Sequence, residues 1–197
     1  MRPETHRNPV YLALIHFPVY DKNRNVVRTS LTPMDLHDIA RAARTYGVRA
    51  FYFVNPLASQ RALAQMICDH WNEGYGACYN PNRKEAFQLV RIAADLEETV
   101  RSIQEDCGRS PVTVATGARI SNWDLDYTRF KELLEEKKEE PFLLLFGTGW
   151  GLLSETIECA DYRLAPIRGT GPYNHLPVRS AVSIILDRIL GDRQNLA

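Results

Sequence analysis

The chain has 197 residues, 24 of them basic and 24 acidic, for a formal net charge of zero. That length suits one domain with a full core, spanning residues 1–197. The balanced charge excludes a global basic field, so any grip on RNA has to come from a local patch. Cys68, Cys78, Cys107 and Cys159 show neither a CxxC pair nor Cys/His metal spacing, which points to reduced thiols and offers no metal site.

The N-terminal "MRPETHRNP" is polar, without the apolar stretch of a signal peptide, and the longest apolar runs fall short of the ~20 residues a bilayer span needs. The expectation is a cytoplasmic protein with no membrane segment. "VYLALIHF" (Val10–Phe17) is apolar and β-branched and reads as a buried strand, followed by a polar loop. Thr32 and Pro33 give an N-cap and a proline at the first helical position, predicting a helix to about Tyr46, with Gly47 as its stop. "AFYFVN" (Ala50–Asn55) is a second strand, and Ala58 to Trp71 has helical spacing. "GYGACYNPNRK" reads as a loop from its Gly, Asn and Pro content. "AFQLVRIAA" is expected as the third strand, because Asp95 and Glu98 form a capping box just after it; a helix then runs to about Asp106, with Gly108 ending it. "PVTVAT" is the fourth strand, Tyr127 to Lys138 a charged helix, "FLLLF" the fifth strand and "YRLAP" a weaker sixth. A long helix from Leu176 to Leu190 closes the chain.

Strand and helix thus alternate about six times, the pattern of an α/β fold with a mostly parallel six-stranded sheet and helices on both faces. Ligands of such sheets bind beyond the carboxyl ends of the strands. Three segments leave those ends with unusual chemistry: "TGARISN" (116–122), "GTGWG" (147–151) and "APIRGTGPYNH" (165–175). Glycine there permits close backbone approach and positive φ, and a strand-to-helix turn exposes N–H groups; a tight turn with no ligand is the competing reading. The spacing does not match the nicotinamide fingerprint, and no GK[ST] follows to make a phosphate loop of the Walker type. Two successive glycine-rich exits, largely uncharged, suit a nucleoside better than a triphosphate.

"LLLFGTGWGL…DYRLAPIRGTGPYNHLPVRSAVSIILDRI" resembles the C-terminal half of the SPOUT RNA methyltransferases. "DLHDIARAARTYGVRAFYFVNP" (Asp35–Pro56) is similar to the first SpoU-type motif, N-x-G-x-I-x-R-x-A-x-x-F-G-V, with Ile39, Arg41, Ala43, Tyr46, Gly47 and Val48 in register. The resemblance implies a C-terminal deep trefoil knot, a homodimer with the active site at the subunit interface, S-adenosyl-L-methionine as methyl donor, and a tRNA or rRNA nucleotide as acceptor. It implies a cofactor site among Thr116, Gly117, Leu145, Gly147, Gly149, Leu152, Ile167, Gly169 and Leu176. Arg41, at the motif's arginine, is the candidate for activating the acceptor or gripping phosphate; Arg119 and Asn174 are the other catalytic candidates. Methyl transfer is mainly a positioning problem, with removal of a proton where the acceptor carries one, and requires no metal.

Two departures stand out. The motif's leading asparagine is Asp35, and its later "SLN-V-S" segment becomes His175, Leu176, Pro177, Val178 and Arg179, with Asn174 one step away to supply an amide. Trp123, Trp150 and Tyr173 flank the three loops and offer stacking surfaces for a base. The alternative is a SPOUT-like module that binds RNA or protein without catalysis; a nicotinamide-binding reductase is a third reading.

Overall fold

The computed structural model describes residues 8–192; most of the polar N-terminal stretch and the last five residues lie outside the described residues. In chain order the elements are β1 (Val10–Ile15), β2 (Val19–Tyr20), β3 (Val26–Val27), α1 (Pro33–Thr45), β4 (Ala50–Val54), α2 (Ala58–Asn72), α3 (Tyr75–Tyr79), α4 (Pro81–Phe87), β5 (Val90–Ala93), α5 (Leu96–Cys107), β6 (Val112–Ala115), α6 (Tyr127–Glu136), β7 (Phe142–Gly147), α7 (Ser154–Glu158), β8 (Tyr162–Arg163) and α8 (Val178–Leu190).

Six strands form one sheet in the order β5-β4-β1-β7-β6-β8, and every pairing in it is parallel. β1 lies inside the sheet and is buried along its whole length, which is why its sequence is a continuous apolar run rather than an alternating one. Its side chains still divide by parity. Val10, Leu12 and Leu14 join Phe51, Phe53, Phe142, Leu144 and Phe146 against α1, α4, α6 and α8 on one face. Tyr11, Ala13 and Ile15 join Tyr52, Val54, Leu143 and Leu145 on the other, covered by Ile103 of α5 and by Ile157 of α7. α5 is pinned at its end by Asp106, which accepts from Tyr11 Oη at 2.5 Å and Arg49 Nε at 2.7 Å.

Helix ends follow local chemistry. Asp95 caps α5 by accepting from Glu98 N at 2.8 Å, while Glu98 reaches back to Ala94 N, and Gly108 ends the helix at φ +75°. Gly47, at φ +72°, follows α1 as expected, but Thr32 at its head makes no side-chain cap bond, so Pro33 alone marks that start.

The structure departs from the sequence reading in four places. The first half of "AFQLVRIAA" is not strand: Ala86 and Phe87 end α4. That helix starts inside a stretch read as loop, because Asn80 caps it through Arg83 N and Pro81 occupies its first turn. α3 also falls in that stretch. The polar loop after β1 contains the antiparallel β2–β3 hairpin, whose turn Asp21 organises by accepting from Asn23 N and Asn25 N, both at 2.8 Å. Two-residue strands are too short for periodicity to reveal.

The tail is laced through the preceding loop. Leu164 N bonds to Ala115 O at 2.9 Å, and Ala165 N to Leu125 O at 2.8 Å, so this segment is held between β6 and the far end of the 116–126 loop. Asp124 and Arg163 form a bidentate pair, with both contacts at 2.8 Å, and Asn174 Nδ2 donates to Ala118 O at 3.2 Å. α8 then packs beside α1, where Tyr46 Oη donates to Asp187 at 3.2 Å.

Candidate active site

A cavity of about 650 Å³ opens at the carboxyl ends of β6 and β7 and is walled by all three segments singled out above. The glycine loop after β7 explains itself mostly through the chain's own packing. A Cβ on Gly147 would stand 2.5 Å from Leu152 N, since the loop folds directly back on that strand end. Gly149, at φ +58°, would place a Cβ 2.9 Å from Tyr20 O. The hairpin docks there: Trp150 N donates to Tyr20 O at 2.8 Å and Tyr20 N to Gly151 O at 3.0 Å. Thr148 N donates to Ile15 O and Gly151 N to Thr148 O. These amides are engaged within the fold, so the loop shapes a wall more than it presents an N–H cradle, contrary to the simplest reading of its glycines. Thr29 Oγ1 and Thr148 Oγ1, 2.5 Å apart, tie the chain after the hairpin to the same wall.

Of the cofactor candidates, Thr116, Gly117, Gly147, Gly149, Leu152, Ile167 and Leu176 line the cavity. Leu145 does not: its side chain is buried in the core on the α5 face, and its carbonyl accepts both N–H and Oγ1 of Thr116, at 3.1 and 2.8 Å. Gly169 is exposed, away from the wall, with nothing near its α-carbon to require glycine. Arg119 and Asn174 belong to the lining, Arg119 with its guanidinium 4.9 Å from the Trp150 ring centre. His175 lies 5.5 Å from Trp150 and 6.4 Å from Tyr173, so aromatic and basic groups of all three loops meet at the mouth. Arg41 is the clear exception. It is exposed on α1 and outside the lining of this chain's cavity, because the helix turns Leu36, Ile39 and Ala43 inward instead. Trp123 faces a separate shallow groove with Tyr127, Arg168 and Arg188.

The cavity also holds groups that motif reading did not place there: Arg24 from the hairpin turn, Thr29, and Asp35 from the first turn of α1. Asp35 is the one carboxylate among the described residues of the lining. It is buried, and Arg179 Nε of α8 approaches it at 3.2 Å while Arg179 Nη1 bonds Asp38 at 2.9 Å. Burial raises the Asp35 carboxyl above its ordinary pKa, against the opposing pull of Arg179 and a bond from Thr32, with Asp38 adding to the rise.

The chamber fits an adenosyl amino acid. Its volume is that of a small-molecule site, Leu152, Ile167 and Leu176 give apolar surface for a purine, and Gly117 and Gly147 leave the wall without side chains. Among the described residues no group of His, Cys, Asp and Glu is arranged to hold a metal ion, and no helix is long and apolar enough to cross a membrane.

An all-parallel sheet with a glycine-walled cavity at its carboxyl rim, and a tail laced through the loop beside it, defines an α/β knot fold. It superposes on the SpoU methyltransferase AviRb of Streptomyces viridochromogenes in complex with AdoMet, with a TM-score of 0.57 at 18% identity over 96% of this chain and 59% of that one. The chain belongs to the family described as SAM-dependent RNA methyltransferase, whose model matches residues 9–191. It is 42% identical over 180 residues to an uncharacterised protein of Aquifex aeolicus, covering 91% of this chain and 87% of that protein. It is 42% identical over 183 residues to a tRNA (guanine-N(1)-)-methyltransferase of Oleidesulfovibrio alaskensis, covering 93% of this chain but 42% of that protein, so it spans about two fifths of that relative. By family the chain is thus a SAM-dependent RNA methyltransferase domain, and the nicotinamide reading is set aside.

Proposed function

We propose that the cavity holds S-adenosyl-L-methionine against Thr116, Gly117, Gly147, Gly149, Leu152, Ile167 and Leu176, and that a tRNA nucleotide enters from the Arg24, Arg119 and Trp150 side. The observation that carries this is the mixed lining of one cavity, in which glycine backbone and apolar side chains share the walls with Arg24, Arg119 and the exposed indole of Trp150. The bound donor supplies an electrophilic methyl group on a sulfonium. Trp150 gives a face for the target base, Arg119 and Arg24 attract its phosphates, and Asn174 fixes the loop at Ala118. The name of the longer relative favours tRNA over rRNA.

The working form in this reading is a cytoplasmic homodimer. Arg41 stands outside its own cavity, and an isologous contact through the α1 side would carry it to the partner's acceptor. Exposed Trp150, Tyr173 and Leu176 around the mouth are apolar surface for RNA or a second copy to cover. The test is calorimetry with adenosylmethionine and adenosylhomocysteine, followed by transfer of labelled methyl to unmodified tRNA transcripts. Micromolar binding and labelled tRNA are expected. Arg41→Ala is expected to abolish transfer while leaving cofactor affinity within about threefold, since it removes only an acceptor contact. Binding of tRNA without any heat from either nucleoside would instead make the domain a non-catalytic RNA-binding module.

A further inference from the structure

Two of the positions at which this chain departs from the SpoU-type motifs meet in space. Asp35 stands where the first motif has asparagine, and Arg179 where the last has serine; their side chains pair at 3.2 Å across the junction of α1 and α8, at the wall of the cavity. Where the motifs carry a neutral amide and a hydroxyl, this chain carries a carboxylate and its counter-ion. An unpaired acid would carry an uncompensated charge in a buried site, so the arginine is the condition for keeping an ionised acid there. Arg179 is also held from the other side by Asp38, which fixes the fork that orients Asp35.

We propose that Asp35 is the proton acceptor of the methyl transfer, positioned by Arg179, and that the methylated atom is a proton-bearing ring nitrogen of a nucleobase, as in guanine or uracil, rather than a ribose hydroxyl. This rests on the methyltransferase reading above. The balance is simple. The ring N–H proton passes to the Asp35 carboxylate, the nitrogen pair forms the bond to the methyl carbon, and the carbon–sulfur bond breaks with its electron pair left on sulfur as a neutral thioether. A ring imide proton is acidic enough for a carboxylate to take as the new bond forms, whereas a ribose hydroxyl is several orders of magnitude less acidic and gains little from so weak a base. Around Asp35 the groups that set its charge are Arg179 from α8, Asp38 from α1 and Thr32 at the head of α1.

The test uses the full chain, labelled adenosylmethionine and a pool of unmodified tRNA transcripts, with nucleoside mass spectrometry of the product. The wild type is expected to place the methyl on a base nitrogen. Asp35→Asn is expected to slow single-turnover transfer at least 100-fold, with calorimetric affinity for adenosylhomocysteine within threefold and the protein still folded. Arg179→Gln keeps the base and loses its counter-ion, so the acid limb of the pH–rate profile is expected to move to higher pH. In the adenosylhomocysteine-bound protein, the Asp35 carboxyl ¹³C resonance, identified by its absence in Asp35→Asn, should shift its titration the same way. A ribose-methylated product, an Asp35→Asn variant with undiminished transfer, or an unmoved acid limb and resonance in Arg179→Gln each overturns the assignment. Loss of adenosylhomocysteine binding in Asp35→Asn would make the carboxylate a cofactor ligand, which also overturns it. A wild type that binds the cofactor yet methylates none of the transcripts defeats the catalytic reading itself, and this assignment with it.

Discussion

His16 shows how much a single buried side chain can impose. It follows β1 directly and is fully buried against Phe53, with Nδ1 3.4 Å from Leu14 O and Nε2 without a hydrogen-bond partner. Burial lowers its pKa from 6.5 to about 4. The unfolded chain therefore takes up a proton near pH 6.5 that the folded chain refuses until near pH 4. Stability from this group is present above pH 6.5 and is lost as pH falls toward 4, by roughly 3 kcal/mol at the limit. Urea melts at pH 7, 5.5 and 4.5 should show that loss, and His16→Phe should flatten it. The sequence marked His16 only as the end of an apolar run; its protonation state follows from what packs over it. The same holds for Asp35. Its identity was visible as a departure from a motif, while its partner 144 positions later was not.

At the scale of elements, the cavity wall depends on a docking between two pieces distant in sequence, the β2–β3 hairpin and the glycine loop after β7. The sequence marked the loop clearly and its strand-to-loop break correctly, but left its glycines open between ligand approach and a tight turn with no ligand. In the fold, Gly149 gives room to the Tyr20 carbonyl, and the neighbouring amides complete the hairpin contact. Gly149→Ala should thus fail through packing. A left-handed φ costs an L-residue about 1–2 kcal/mol, and the added Cβ would sit 2.9 Å from Tyr20 O. The expected outcome is a lower melting temperature together with at least a tenfold weaker grip on adenosylhomocysteine. Thr29→Ala, which removes a hydroxyl but no backbone contact, should weaken binding less. Helices with strong end signals, α1 and α5, were read from the sequence to within a residue or two. α3 and α4 were missed, although "NP" at Asn80–Pro81 is itself a cap followed by a first-turn proline. Short helices bury too few residues to show a period.

For the whole molecule, the sheet order places β7 between β1 and β6, and the tail passes the 116–126 loop before α8 reaches α1. This brings residues from the start, middle and end of the chain to one chamber, and leaves Arg41 outside it. If Arg41 serves the partner's chamber, two inactive variants should complement each other. Equal amounts of Arg41→Ala and Asp35→Asn protein, unfolded and refolded together, should recover about a quarter of wild-type transfer, because half of the dimers are mixed and each of those has one intact site. No recovery above either variant alone would place both residues in the same subunit's site. Sedimentation at micromolar concentration should give a single species of twice the 22.5 kDa chain mass.

By itself the sequence determined the class of fold and marked the loops that leave the sheet's carboxyl rim, because apolar runs, capping residues and glycine spacing are local and each acts on its own few neighbours; the family was legible as the resemblance of two motifs. Only the tertiary structure decided which motif residues face the cavity. Leu145 and Gly169 fall away from it, Arg41 stands outside, and Asp35 enters with Arg179 beside it. The facing of a side chain depends on how helices roll against the sheet and on where the laced tail comes to rest, and those are set by long-range packing that no short window of residues contains.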